Sequence, residues 1–139
     1  ALRLDAAWAR PLGDAEGLRP DRRWFAGGVS TMRGYGRHEL GPRDADGNPL
    51  GGQVRLLAGA ELRAMVRPPL GLAWFVDTGQ VWARRTDVDL ADLAVASGLG
   101  LLVETPVGPL RLDLAYNLTP PVHDDVGRWK LQFAIGHPY

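Results

Sequence analysis

The side chains that most often perform chemistry are few in this sequence, and their spacing favours no reaction. Its three histidines, His38, His123 and His137, are far apart, and His38-Glu39 lacks the second histidine that the zinc-protease motif requires. The sequence contains no cysteine, which excludes thiolate metal sites and disulfides. No nucleophile can be paired with a base from the pattern of residues. We therefore expect that the chain is not an enzyme.

A second candidate for chemistry is Asp44-Ala45-Asp46-Gly47-Asn48, which opens like a calcium-binding loop because oxygen-bearing side chains alternate along it. Pro49, however, stands where the turn glycine belongs, and Arg55 stands where the bidentate glutamate belongs. The pattern therefore predicts no metal site, and nothing else in the sequence indicates a bound cofactor.

The charge balance narrows the class of partner. The 16 basic and 16 acidic residues give a formal net charge of zero, which argues against a nucleic-acid partner because nucleic-acid-binding proteins carry a basic excess.

No stretch of the sequence approaches the roughly 20 apolar residues of a transmembrane helix. Membrane β-strands, in contrast, alternate apolar and polar residues and give only a weak hydropathy signal. The 18 glycines and 11 prolines suit short strands joined by turns.

A period of two residues, repeated in six segments, is the dominant pattern of the chain. In Leu110–Leu118 every second residue is leucine or tyrosine, and the residues between are Arg111, Asp113, Ala115 and Asn117. Strict alternation predicts β-strands with two different environments. The predicted strands are Leu2–Trp8, Gln53–Val66, Leu72–Trp82, Val95–Glu104, Leu110–Leu118 and Trp129–Gly136.

Three features favour strands in a membrane over a soluble sheet. Several segments reach the roughly 9–11 residues that cross a bilayer. Short connections at 67–69 and 106–108 alternate with long ones at 12–50, 83–93 and 119–128, as in outer-membrane barrels. Aromatic residues lie near segment ends, as an interfacial girdle requires; they are Trp8, Trp82, Tyr116, Trp129 and Tyr139. A soluble β-sandwich stays open as the alternative, and 87–96 is either a short helix or a loop leading into a strand.

Five blocks of sequence, in order along the chain, carry a family resemblance. They are Arg23–Gly36 with its Phe-Ala-Gly-Gly and Arg-Gly-Tyr elements, Gly59–Arg63, Phe75–Trp82, Gly98–Gly100 followed by Thr105–Asp113, and Phe133–Gly136. In this order they resemble the BamA and TamA superfamily of outer-membrane assembly factors, also described as the bacterial surface antigen family. The wording of Phe75-Val76-Asp77-Thr78-Gly79 leans towards the TamA branch.

The resemblance implies an all-β fold, an antiparallel transmembrane β-barrel. Residues 1–139 would be the C-terminal portion, with the last six of sixteen strands. Six strands do not close a barrel, since about eight is the practical minimum, so we expect a fragment rather than an oligomer. By alternation, Leu112, Leu114, Leu131 and Phe133 face lipid, and Arg111, Asp113, Lys130 and Gln132 face the lumen.

The resemblance also implies that residues 12–50 form an extracellular loop that folds into the lumen. There Arg33, followed by Gly34 and Tyr35, would meet two acidic wall residues, Glu61 and Asp77. The alternation independently places both carboxylates on the lumen side. Glycine at 34 and 36 permits the tight backbone approach that such docking needs.

The terminal strand is the predicted functional edge, because the barrel seam is the junction without a covalent hairpin. Gly136 has no side chain to pack, and Pro138 has no N–H to donate to a neighbouring strand. We therefore expect fewer residues to be hydrogen-bonded at this end of the strand. An edge of this kind can pair with an incoming strand. The seam residues are Trp129, Phe133, Ile135, Gly136 and Tyr139.

The resemblance implies a protein of the Gram-negative outer membrane that assembles, inserts or translocates other proteins. Its expected partners are the lipid bilayer, unfolded β-barrel or autotransporter substrates, and periplasmic or inner-membrane assembly proteins. A two-partner secretion pore for an unfolded protein and the barrel anchor of a fused surface enzyme are the alternatives. Sequence upstream of the chain would separate the three.

Overall fold

Six antiparallel strands form one continuous sheet in which each strand pairs with the next along the chain. The computed structural model describes residues 1–9, 19–120, 123–124 and 126–136. The strands are β1 (Leu2–Trp8), β2 (Val54–Arg67), β3 (Leu70–Trp82), β4 (Ala94–Val103), β5 (Leu110–Asn117) and β6 (Trp129–Ile135). This architecture confirms the predicted all-β fold. The described residues form a single sheet and not the two packed sheets of a sandwich.

The alternation of the sequence separates the two faces of the sheet. In β5, Arg111 and Asp113 are buried, whereas Leu112 and Leu114, which alternate with them, are exposed. The exposed side, the outer face, is almost entirely apolar, which is the surface that lipid covers in a membrane barrel. Its exposed residues include Leu2, Leu4, Leu62, Leu72, Trp74, Leu99, Leu101, Leu112, Leu114, Leu131, Phe133 and Ile135.

Three aromatic residues of the outer face lie at the same end of their strands. Trp8 ends β1, Tyr116 lies next to the end of β5, and Trp129 begins β6. Tyr116 and Trp129 are register partners, and their ring centroids are 4.7 Å apart. This band has the position of an interfacial girdle at the long-loop side of the sheet. Tyr139 lies outside the described residues.

The connections differ in length on the two sides of the sheet. Residues 68–69 and 104–109 join strands at one side, and the longer connections lie at the other. Residues 87–96, predicted as a short helix or a loop leading into a strand, contain the 3-10 turn Leu90–Asp92 and the beginning of β4. Another 3-10 turn, Arg85–Asp87, comes just before them. Within the ranges that the structure describes, no helix is long and apolar enough to span a membrane.

Trp82 differs from the prediction, which placed it in the interfacial girdle. It is buried, as is Gln80 on the same side of β3. The segment after the strand folds back over this end, where the Gln80 side-chain amide donates a 2.9 Å hydrogen bond to the carbonyl of Asp92. Trp82 is therefore covered by protein and does not join the girdle.

The opposite side of the sheet, the inner face, is covered by the connection between β1 and β2. We refer to residues 19–53 of this connection as the long loop. Its buried apolar side chains pack against the inner face and form the core of the molecule. The core residues are Ala26, Met32, Tyr35 and Leu40 from the long loop, with Leu57, Val81, Ala94, Ala96 and Val126.

Glycines make room for the large side chains of the inner face. Each of four large residues has a glycine as its partner on the neighbouring strand, and a methyl group there would overlap the side chain opposite. The pairs are Leu57–Gly79, Asp77–Gly59, Phe75–Gly98 and Asp113–Gly100. The strand register therefore places each of these large side chains opposite a glycine, from β2 to β5.

Replacing Gly98 with alanine is expected to destabilise the sheet by about 1–3 kcal/mol, the usual cost of overpacking. The added Cβ would lie 2.3 Å from the carbonyl oxygen of Leu114 and 2.5 Å from Cζ of Phe75. Gly71→Ala is the matched control, because its Cβ would meet nothing closer than 3.4 Å. Urea unfolding of the full-length protein in lipid measures both. Equal losses of stability would contradict the packing argument.

Candidate functional site

The Arg-Gly-Tyr segment of the long loop reaches the inner face through backbone conformations that favour glycine. Gly27 has φ +112°, and a Cβ there would lie 2.2 Å from the carbonyl oxygen of Gly36. Gly34 has φ +95°, and its Cβ would lie 2.3 Å from the side-chain oxygen of Asn117 on β5. Larger residues would hold the loop away from the sheet.

Arg33 is the centre of the site and is 1% exposed. Its Nε and Nη2 donate to the two carboxylate oxygens of Asp77 at 2.7 and 2.8 Å, and its backbone N–H donates to the same group at 3.1 Å. Its Nη1 donates to Glu61. The guanidinium also lies over the ring of Phe75, with Cζ 3.8 Å from the centroid. The structure thus brings Arg33 together with both carboxylates that the sequence singled out.

Glu61 is shared with two further arginines. Arg111 on β5 donates to its two oxygens at 3.0 and 2.7 Å, and Arg63 donates to it from the same strand. Arg111 Nε in turn donates to Asp113 at 2.8 and 2.6 Å. We refer to these four residues, together with Arg33 and Asp77, as the ion cluster. Three arginines and three carboxylates leave its formal charge at zero.

Small residues allow Arg111 to reach Glu61 across two intervening strands. Neighbouring strands are about 4.8 Å apart, so β5 and β2 are separated by roughly three such spacings. The guanidinium passes Gly100 on β4, whose Cβ would lie 3.2 Å from Nη2 and 3.4 Å from the side chain of Ala73 on β3. A larger side chain at either position would close this path.

The two last strands also bind the segment around Tyr35. Asn117 on β5 donates to the carbonyl of Gly34 at 2.8 Å. On β6, Gln132 donates to the carbonyl of Tyr35 at 2.7 Å. The Lys130 ammonium lies 2.9 Å from the carboxylate of Glu39 in the long loop.

The first two strands hold the other flank of the long loop. Arg55 on β2 pairs with Asp5 on β1 at 2.8 Å and donates to the carbonyl of Phe25 at 3.2 Å. Arg3 on β1 donates to the carbonyl of Ser30 at 2.6 Å. Polar contacts therefore connect the long loop to β1, β2, β3, β5 and β6.

The predicted seam residues lie on the outermost strand of the sheet. Trp129, Phe133 and Ile135 are exposed on the outer face of β6. Gly136 has φ +91°, and its N–H donates to the carbonyl of Pro109 at 2.8 Å, so pairing with the β5 side extends one residue past the strand. Tyr139 and Pro138 lie outside the described residues.

Sequence reasoning did not identify Arg63, Arg111, Asp113, Lys130 and Glu39 as partners in this site. Alternation placed Arg111, Asp113 and Lys130 on the correct face. Their pairing depends on the strand register and on the course of the long loop, and neither can be read from a single strand.

The Asp44–Asn48 turn is closed by its own hydrogen bonds, which occupy the Asp44 carboxylate. The Asp44 carboxylate accepts hydrogen bonds from the N–H groups of Asp46 and Asn48 at 3.0 and 2.8 Å and from the Asn48 side chain. The side-chain and backbone hydrogen bonds from Asn48 lower the pKa of Asp44 below its usual value. The described part of the chain contains no group of three or more metal-ligating side chains.

Comparison with known proteins relates the whole chain to one family. The family model described as the Omp85 superfamily domain matches residues 1–139. The chain is 31% identical over 137 residues to the outer membrane protein assembly factor BamA of Neorickettsia risticii. It is 27% identical over 118 residues to the protein of the same name from Nitratidesulfovibrio vulgaris. These matches cover 89% and 82% of the chain but only 17% and 15% of those relatives.

A solved structure has the same fold. The crystal structure of BamA from Haemophilus ducreyi lacking POTRA domains 1-3 superposes with a TM-score of 0.65 at 20% identity. The match covers 81% of this chain and 26% of that one. Both relatives are named as assembly factors, not as enzymes.

Proposed function

Because the chain belongs to the Omp85 superfamily, we propose that it is the C-terminal barrel part of a factor that assembles or inserts other outer-membrane proteins. The likeness to BamA across most of the chain carries this proposal. The chain lies in the outer membrane of a Gram-negative-type bacterium. It spans about one sixth of the length of the curated relatives it matches, so the activity of the whole protein is inferred.

In the proposed barrel the inner face lines the lumen and the long loop enters it from the extracellular side. The loop's buried core and its contacts with five strands support this orientation. The ion cluster then acts as a fixed support for the loop and performs no chemical step. The count of sixteen strands and the TamA-like leaning stay predictions.

The proposed working edge is β6, whose partner on its free side would be the first strand of the complete barrel. A seam of this kind has no hairpin to hold it, so it can open and offer backbone N–H and C=O groups to an incoming strand. Substrates would be unfolded β-barrel or autotransporter chains, with periplasmic or inner-membrane proteins as helpers.

A disulfide across the seam tests this function. A cysteine on β6 joined to one on the first strand of the full-length protein is expected to abolish insertion of a β-barrel substrate into proteoliposomes, and reduction is expected to restore it. The chain has no cysteine of its own to interfere.

A second disulfide within the sheet is the matched control. Leu114 and Leu131 are register partners on β5 and β6, which places their Cα atoms within disulfide reach. Joining them leaves the seam unlinked, so insertion should continue. Full insertion with the seam closed would remove the edge from the mechanism and favour transport through the lumen, as in a secretion pore.

A further inference from the structure

Among the contacts that hold the long loop on the sheet, two groups differ in burial. The first is the pairing of Arg33 with Glu61 and Asp77 on β2 and β3. All three side chains are at most 2% exposed. We call these three residues the buried anchor. Removing one member of such a pair strands a charge away from water, which corresponds to a change of about a hundredfold or more in an equilibrium constant.

The second group lies on β6, the outermost strand. Lys130 and Glu39 are 29% and 28% exposed, and their ion pair is therefore partly screened by solvent. Gln132 adds one neutral hydrogen bond to the carbonyl of Tyr35. We call these the edge contacts. A pair of this exposure changes an equilibrium only about two- to fivefold.

We infer that the long loop restrains β6 through the Lys130–Glu39 and Gln132–Tyr35 contacts, and that these separate when the edge opens while the buried anchor stays closed. The difference in burial sets the order in which the contacts separate. When β6 moves, the weaker edge contacts break before the buried anchor does. The loop thus remains in place on β2 and β3 as β6 leaves it. This inference rests on the proposed function, in which β6 is the edge that opens.

The contacts of the intervening strand support this division. Asn117 on β5 is fully buried and donates to the carbonyls of Gly34 and Gly127, so β5 stays with the buried part of the loop. The change from buried to partly exposed contacts therefore falls between β5 and β6. These partly exposed contacts are made with the one strand that the proposed mechanism requires to move.

A double-mutant cycle in the full-length protein, held in lipid nanodiscs, tests the restraint. Lys130→Gln and Glu39→Gln each remove one charge, and the glutamine at 39 keeps an oxygen that can accept the hydrogen bond from the N–H of Gly36. Hydrogen exchange of the β6 amides reports how often the edge opens. Each single variant is expected to exchange about two to five times faster at β6, and the double variant no faster than either single one.

Asp5→Asn is the matched control, because the Asp5–Arg55 pair is also partly exposed but joins β1 and β2, and the contact of Arg55 with the long loop is kept. Exchange at β6 should not change in this variant. Trypsin cleavage after Arg43, which is half-buried in the docked loop, reports whether the loop has left the sheet. Cleavage should stay slow in the Lys130 and Glu39 variants.

Each result decides for or against the restraint. Unchanged exchange at β6, or additive effects of the two substitutions, would overturn it. Rapid trypsin cleavage in Lys130→Gln would show that the loop leaves as one piece, and would overturn the order of events. Faster exchange at β6 with unchanged substrate insertion would support the restraint and contradict the proposed function of the edge.

Discussion

Replacing Arg33 with alanine is expected to lower the free energy of unfolding of the full-length protein by about 3–5 kcal/mol and to release the long loop. The guanidinium makes two ion-pair hydrogen bonds with Asp77 and one with Glu61, all out of water. Urea unfolding in lipid measures the stability, and trypsin cleavage after the half-buried Arg43 measures loop release. Arg37→Ala, an exposed position on the same loop, is the control for losing an arginine. Equal effects of the two substitutions would contradict a docked Arg33.

The ion cluster predicts which carboxylate loses its counterion when Arg33 is replaced with alanine. Glu61 keeps Arg63 and Arg111 when Arg33 is removed, whereas Asp77 loses the guanidinium that neutralises it. Adding Asp77→Asn to Arg33→Ala should therefore recover part of the lost stability, because an uncompensated buried charge is removed. Adding Glu61→Gln should lower stability further, since Arg111 and Arg63 then lose their shared partner. The opposite order would show that Glu61 is the main counterion of Arg33.

Leu114→Arg is expected to cost roughly 2–4 kcal/mol of stability in a bilayer. Leu114 is exposed on the outer face, and its register partners, Leu99 and Leu131, are exposed there as well. An arginine among them would have to leave water for hydrocarbon. Unfolding of the full-length protein in lipid vesicles measures the effect.

Met65→Arg is the control for a charge on the inner face, because Met65 is 54% exposed and lies on the same side of β2 as Glu61 and Arg63. It should change stability little. Equal losses at the two positions would mean that lipid does not cover the outer face. Position 113 cannot be used for this control, although alternation correctly placed it on the same face. Asp113 is fully buried beneath the loop and paired with Arg111.

The strands and their two faces were largely predictable from the sequence. Alternation with a period of two reflects a local property, since successive side chains of a strand point to opposite sides. All six strands end within two residues of the predicted bounds. The exception is Trp82, which was predicted to be in the girdle but is buried. The segment after β3 folds back to Gln80, and the pattern within one strand does not show which later segment covers it.

The two carboxylates of the buried anchor were also predictable. Alternation placed Glu61 and Asp77 on the inner face, and the family resemblance implied that Arg33 pairs with them. Arg111, 50 residues from Glu61 in sequence, was not assigned to them. Its position depends on the stagger of four strands and on the space above Gly100, which are properties of the assembled sheet.

The sequence by itself determined an all-β chain with one apolar face, one charged face and a glycine-rich loop able to approach the charged one. Only the tertiary structure decided which charges meet and how deeply each pair is buried. Register and the course of the long loop bring together residues 28 to 91 positions apart, such as Arg33 with Glu61 and Lys130 with Glu39. The strength of each pair follows from its exclusion from water, and that exclusion exists only once the loop has covered the sheet.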